Sequence, residues 1–257
     1  VTTPSKLGYS NQKPPRICSM ITLYQPPQTF DLINISPFCT KLETFLRMAN
    51  IPYQCEPVSM KTFMRAPNGK VPWVEVDGKA IPDSDLIINY LTDKYVVTLS
   101  KGYSEENSAL LTATQRLLEE HLYWGIGYFR WVETTNWPIT VLSIFAPNML
   151  GKKPIGMLMK WSSVKQLKAH GLGRHNAETI LTKCKQDLDT LSAFLGDSTY
   201  YLGDEPGLAD CLVFGFLDGI MHDPTNNQLT KAAQKYDNLR EYCERMGSQY
   251  FPEVYSR

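Results

Sequence analysis

A chain of 257 residues has room for two modest domains or one large one, and either would bury a real core. Its 26 basic and 26 acidic side chains cancel. That balance speaks against a nucleic-acid partner, and it leaves any pull on a charged substrate to a local site. Residues 1–19 are polar and proline-containing, with no apolar stretch of the signal-peptide kind, and predict a flexible arm. Residues 20–25 then form a short β-prone run closed by Pro26 and Pro27. A connection leads to Ser36 and Pro37, the pairing of a helix N-cap with proline at the first helical position. Phe38, Leu42, Phe45, Leu46 and Ala49 fall on one face of the helix that follows.

Residues 53–58 give a second strand. The run VPWVEV at 71–76, then Asp77-Gly78, then KAI make a hairpin signal, and 83–95 turns helical again. The order β-α-β, connection, β-β-α is thioredoxin-like, and it sets an α/β domain over 20–95. Residues 96–107 read as a linker. An all-α domain over 108–257 follows, with helices at about 105–133 and 176–195, one starting near Gly207, and one at about 231–246. Between the first two lies an apolar stretch, 137–161, interrupted by Pro138, Pro147 and Pro154. Packing on the bundle, a lid, a partner surface and a shallow lipid contact all fit it, and Lys152, Lys153 and Lys160 are compatible with the last. No uninterrupted apolar run reaches the ~18 residues of a membrane helix. The six cysteines Cys18, Cys39, Cys55, Cys184, Cys211 and Cys243 form no C-x-x-C pair, so they read as buried thiols in a reducing, cytoplasmic setting.

The sequence SPFC at 36–39 carries the sharpest chemistry. Unpaired amides and the helix dipole at such a helix start favour an anion, and a thiolate is a natural guest. Beside a redox C-P-F-C, the leading cysteine has become Ser36. A hydroxyl cannot form a mixed disulfide, but it can donate a hydrogen bond to a bound thiolate. The plainer reading is that Ser36 only caps the helix and Cys39 packs in the core. A cysteine-dependent reductase working through Cys39 is a third.

Two further segments bear on that choice. KVPW (70–73) resembles the cis-proline strand of glutathione transferases, and DSDLIINYL resembles that family's acidic-plus-serine helix start. YLGDEPGLADCLVFGFL resembles the segment opening the family's core helix, with Asp210 as the reciprocal member of a capping box whose cap position holds Gly207 in place of serine or threonine. Within that superfamily, SPFCTKLETFLRMANIPY, EEHLYWGIGYFRWVE and GLGRH resemble the metaxin-like branch that includes the failed-axon-connections proteins. The resemblance covers about 20–247 and implies the glutathione-transferase fold, with glutathione as cosubstrate and a homodimer. Carried over by position, Ser36 holds the glutathione sulfur, Val71 before Pro72 pairs with the peptide backbone, and Lys70, Asp83 and Ser84 take the charged ends.

The stripe Glu120, Trp124, Tyr128 lies on the helix that lines the hydrophobic-substrate pocket in the family, and His121 or Tyr123 point there if the phase shifts by a residue. A stripe of this kind is also ordinary core. Arg174, between His170 and His175, offers a cation to a carboxylate substrate, while the histidines lack zinc-site spacing and no metal is implied. The resulting expectation is a transferase, or a related lyase or isomerase, acting on a small hydrophobic electrophile. The alternative is a non-catalytic scaffold, since the branch includes members with weak or unestablished activity.

Overall fold

The computed structural model describes residues 20–28, 32–145 and 153–256. The expected arm at 1–19 with Cys18, and the segment 146–152 with Pro147 and Lys152, lie outside them. The first half is a four-stranded sheet of order β2-β1-β3-β4, built from β1 (Ile21–Gln25), β2 (Tyr53–Pro57), β3 (Trp73–Val76) and β4 (Lys79–Pro82). β1 and β2 are parallel and need a crossover, which α1 (Pro37–Met48) supplies. β3 pairs antiparallel with β1 and with β4. The β3–β4 turn rests on Asp77 and Gly78 at φ +51° and +73°, the primed geometry that matches strand twist.

Strand alternation divides the apolar side chains between the two faces. Ile21, Leu23, Val74 and Val76 share one core with Leu42, Phe45 and Leu46 of α1 and with Ile87, Ile88 and Leu91 of α3 (Ser84–Tyr95). On the other face Tyr24 stacks on Trp73 at 3.8 Å and Ala66, Val58 and Val71 pack against the pair, the short helix α2 (Met60–Phe63) lying between Val58 and Ala66 in the chain.

The helical half opens with α4 (Glu105–Arg116), a π-helical turn at Leu117–Leu122, and α5 (Tyr123–Trp131). The single expected helix is thus one rod with a π turn in its middle, which periodicity of 3.6 does not reveal. α6 (Trp137–Phe145) and α7 (Lys153–His170) pack on α5, followed by α8 (Ala177–Leu195) and α9 (Leu208–Met221). The expected last helix is two, α10 (Gln228–Ala233) and α11 (Asp237–Tyr250), with a short α12 (Pro252–Tyr255). The break falls where the Lys235 and Tyr236 amides tighten onto the Ala232 and Ala233 carbonyls and Tyr236 turns extended. No glycine or proline marks it, so the sequence pattern runs through.

α9 is buried along its length and carries the seam between the halves. Gly215 lets it meet α1 closely, since a Cβ there would sit 2.7 Å from the Lys41 backbone nitrogen. Its start explains the unusual cap. A Cβ on Gly207 would lie 2.2 Å from the Tyr103 hydroxyl, and that hydroxyl oxygen accepts from the Ala209 amide at 3.3 Å. Tyr103 therefore takes the place of the missing cap side chain, while Asp210 accepts from the Gly207 and Tyr201 amides at 2.8 Å each.

Candidate functional site

Strand register brings the three motifs to one end of the sheet. Trp73 pairs with both Tyr24 and Pro82, so Val71-Pro72 and Asp83 follow on beyond the end where β1 stops. α1 runs back along the sheet toward β2 and so begins at that same end. The Val71–Pro72 bond is cis, and because the ladder starts at Trp73, Val71 stands outside it. Pro72 is buried, Val71 half-buried and Lys70 exposed. Asp83 is exposed at φ +68°, and its Oδ1 accepts from the Asp85 and Leu86 amides at 2.9 and 3.3 Å, capping α3. Ser84 opens that helix and is buried.

Ser36 sits at the cap position of α1, but its side chain makes no cap hydrogen bond. Its carbonyl makes the first bonds of the helix, accepting from the Cys39 and Thr40 amides at 3.0 and 3.1 Å. Its own amide donates to Asn34 Oδ1 at 3.0 Å, and buried Asn34 donates to the Pro26 carbonyl at 2.9 Å. Cys39 is fully buried, and burial pushes its thiol far above the ordinary value, with a hydrogen bond to Ser36 opposing only part of the rise. That is a packing cysteine, as the plainer reading has it. Cys55 is an exposed residue on β2, yet desolvation of its sulfur pushes the thiol up to about 12.

Sequence reasoning missed the supports. Arg130 of α5, buried, donates to Asp223 Oδ2 at 2.5 Å and to the carbonyls of Ile35 and Gly219 at 2.7 Å each. The Ile35 contact fixes the peptide just ahead of Ser36, and the Thr225 amide and hydroxyl hold the other oxygen of Asp223 at 2.9 and 2.5 Å. A second cluster joins the halves: buried Lys41 pairs with Asp85 and, at 2.6 Å, with Glu119, while Gln115 donates to both carboxylates. Burial pushes the Glu119 carboxyl up, against the pull of Lys41. A lone arginine in an apolar helix and a lysine in the middle of α1 were the available signals, and only contacts distant in sequence give them meaning.

The aromatic stripe divides between two neighbours. Tyr123 meets Phe38 of α1 edge-on at 5.0 Å, which brings it toward the Ser36 end. Trp124 stacks on His170 at 4.4 Å and so faces α7, and half-buried Tyr128 meets Phe129 edge-on at 5.4 Å. His170 also shares a hydrogen bond with the Glu120 carbonyl at 3.2 Å, and His121 one with Asp187 at 2.6 Å. Arg174 is exposed on the turn after α7 and donates to the Lys168 carbonyl at 2.9 Å. Among the described residues no group of three side chains could hold a metal ion. Two cavities, of about 790 and about 300 Å³, lie beyond the end of α1 and beside Gln25 and Glu43, and neither is lined by Ser36, Val71 or Asp83.

Comparison with known proteins adds the following. Residues 37–136 match a glutathione S-transferase N-terminal domain and residues 184–246 a glutathione S-transferase C-terminal domain. The chain is 34% identical to failed axon connections of Drosophila melanogaster over 91% of its own length and 59% of that protein's, so it spans about three-fifths of that relative. It is 30% identical to an isoprene-epoxide–glutathione S-transferase of Rhodococcus sp. (strain AD45), over 90% of this chain and 99% of the relative. Human metaxin-2 is 28% identical, over 82% of this chain and 81% of the relative. Among solved structures, a glutathione transferase of Phanerochaete chrysosporium superposes with a TM-score of 0.66 at 15% identity, covering 91% of this chain and 98% of that one. Human glutathione S-transferase T1-1 gives 0.60 at 17%, covering 92% and 88%. At those identities the likeness is one of fold.

Proposed function

The chain belongs to the glutathione S-transferase superfamily, in the branch it shares with failed axon connections and the metaxins, and on that premise we propose that it binds glutathione and adds its sulfur to a small hydrophobic electrophile, or uses it in a related elimination or isomerisation. One observation carries the reading: Ser36, Val71 and the start of α3 converge on one sheet end, where the Ser36 hydroxyl meets the Cys39 thiol and is not spent on capping.

The thiol proton is lost, and the thiolate lies against the N-terminus of α1 with the Ser36 hydroxyl donating to it. Val71, outside the ladder, offers its backbone to the cysteinyl peptide as an added strand would. Lys70, Asp83 and Ser84 take the charged ends, the α3 amides favouring a carboxylate. The sulfur then attacks the electrophilic carbon of a substrate held near Tyr123, Trp124, Tyr128 and Arg174: the C–S bond forms as that carbon's bond to its leaving atom breaks, the electron pair goes with the leaving atom, and solvent, which took the thiol proton, supplies one to it. We place this activity in the cytoplasm, in a homodimer.

Ser36→Ala should cut turnover at least tenfold with a model electrophile while glutathione affinity holds within a few-fold, the pattern of an interaction made mainly in the transition state. Unchanged turnover would remove Ser36 from the chemistry. A second reading is a non-catalytic interaction protein on the same fold. It draws on the packing of Tyr123 and Trp124 against Phe38 and His170, which spends aromatic faces that a substrate pocket would need.

A further inference from the structure

α7 carries large apolar side chains on the side that faces water. Met157, Leu158 and Trp161 are 55%, 64% and 62% exposed, and Leu142 of α6 is exposed on the neighbouring helix. Their spacing puts Leu158 and Trp161 on one helical stripe that continues as Lys165 and Lys168, both exposed. The packed side is a different one, where Gly156 meets Val141 and Leu167 is buried. The outward apolar face is therefore surplus to the needs of the fold.

The charge around it is one-sided. Between Glu133 and Glu178 the sequence has no carboxylate side chain, yet it holds Lys160, Lys165 and Lys168 in a molecule whose total charge is zero. Lys165 Nζ lies 5.3 Å from the centre of the Trp161 ring, and Lys160 Nζ 4.9 Å from that of Trp137. Aromatic rings with ammonium groups at their margin suit the boundary between lipid headgroups and acyl chains. No helix among the described residues is long and apolar enough to cross a membrane, so such a contact would lie along the surface.

We propose that this face of α7 docks on an anionic lipid surface, with Met157, Leu158 and Trp161 at the headgroup boundary and Lys165 and Lys168 against lipid phosphates. A second copy of the chain is the poorer occupant. A two-fold contact through this face sets the lysine row against itself, with no carboxylate on α7 to answer it. The inference stands apart from the glutathione reading and uses none of its residues.

Flotation of the full chain with phosphatidylcholine vesicles, with and without phosphatidylserine, tests it. The protein should float with the anionic vesicles only, and raised salt should release it. Lys165→Gln/Lys168→Gln should lower the partition on the order of 30-fold, at about 1 kcal/mol per lysine. Leu158→Ser/Trp161→Ser should abolish it with the unfolding midpoint unchanged. No binding to anionic vesicles, equal binding to neutral ones, or undiminished binding by the lysine variant would each overturn the proposal. So would a dimer in solution that Trp161→Ser splits, since the face would then be a contact between copies.

Discussion

Replacing Arg130 with methionine leaves Asp223, its side chain 2% exposed, buried without its cation, and frees the Ile35 and Gly219 carbonyls as well. Removing one partner of a buried pair costs about 3–5 kcal/mol. Urea unfolding of Arg130→Met should show a loss of that size, with Arg130→Lys intermediate because it keeps the charge but not the fork. A loss below about 1 kcal/mol would mean that the loop ahead of Ser36 is held by something else. At this scale the sequence was legible where a residue acts through its neighbours in the chain. Ser36 beside Pro37, Asp83 ahead of α3 and Asp210 three residues past Gly207 all stand where local pattern puts them. Arg130 and Lys41 act through partners 93 and 78 residues away, which no window along the chain contains.

The start of α9 is an element-scale case of one residue covering for another. Tyr103→Ala should cost about 1 kcal/mol, the worth of a cap, and Gly207→Ser should destabilise the parent by clashing with the Tyr103 ring. In the Tyr103→Ala background only the Leu99 carbonyl, 3.0 Å from the added Cβ, must still give, so the same serine should cost less and restore part of the lost stability, a coupling that a double-mutant cycle measures. Additive losses would show that Tyr103 is no substitute cap. At the other end of α9, His222 shares a hydrogen bond with buried Asp218 at 3.1 Å, and Tyr255 of α12 donates to the same oxygen at 2.7 Å. Burial of the ring works against its charged form, but the hydrogen bond and charge of Asp218, helped by Glu244, outweigh it and raise the imidazole above its ordinary 6.5. The stabilisation is then complete below 6.5 and lost as pH rises through the folded-state value. His222→Gln should flatten that part of the stability–pH curve, and an unchanged slope would remove His222 from it. Element boundaries were legible where glycine, proline or a cap marks them, as at Asp77-Gly78 and Asn176. The π turn at Leu117–Leu122 and the break at Tyr236 carry no such mark; their partners are distant in sequence, Lys41 for Glu119 in the first and Asp189 for the Tyr236 hydroxyl at the second.

Over the whole molecule, α9 against α1 and the Lys41, Asp85 and Glu119 cluster bind the two halves through side chains buried at the seam. Asp85 lies one residue past Ser84 and pairs with Lys41, which ties the proposed site at the start of α3 to Glu119 of the helical half. The order of strands and helices made this architecture legible from the sequence. The interlocking of its halves was not, since it depends on Gly215 and Lys41 meeting across the chain. The proposed function turns on glutathione binding at the sheet end that holds Ser36, Val71 and Asp83. Isothermal titration calorimetry of the full chain with glutathione tests this most directly, beside Asp83→Asn, which keeps the α3 cap and the backbone conformation but drops the charge. Saturable binding is expected, weakened roughly tenfold in the variant, the worth of one charged hydrogen bond. Absence of binding, or equal binding by both proteins, would contradict it.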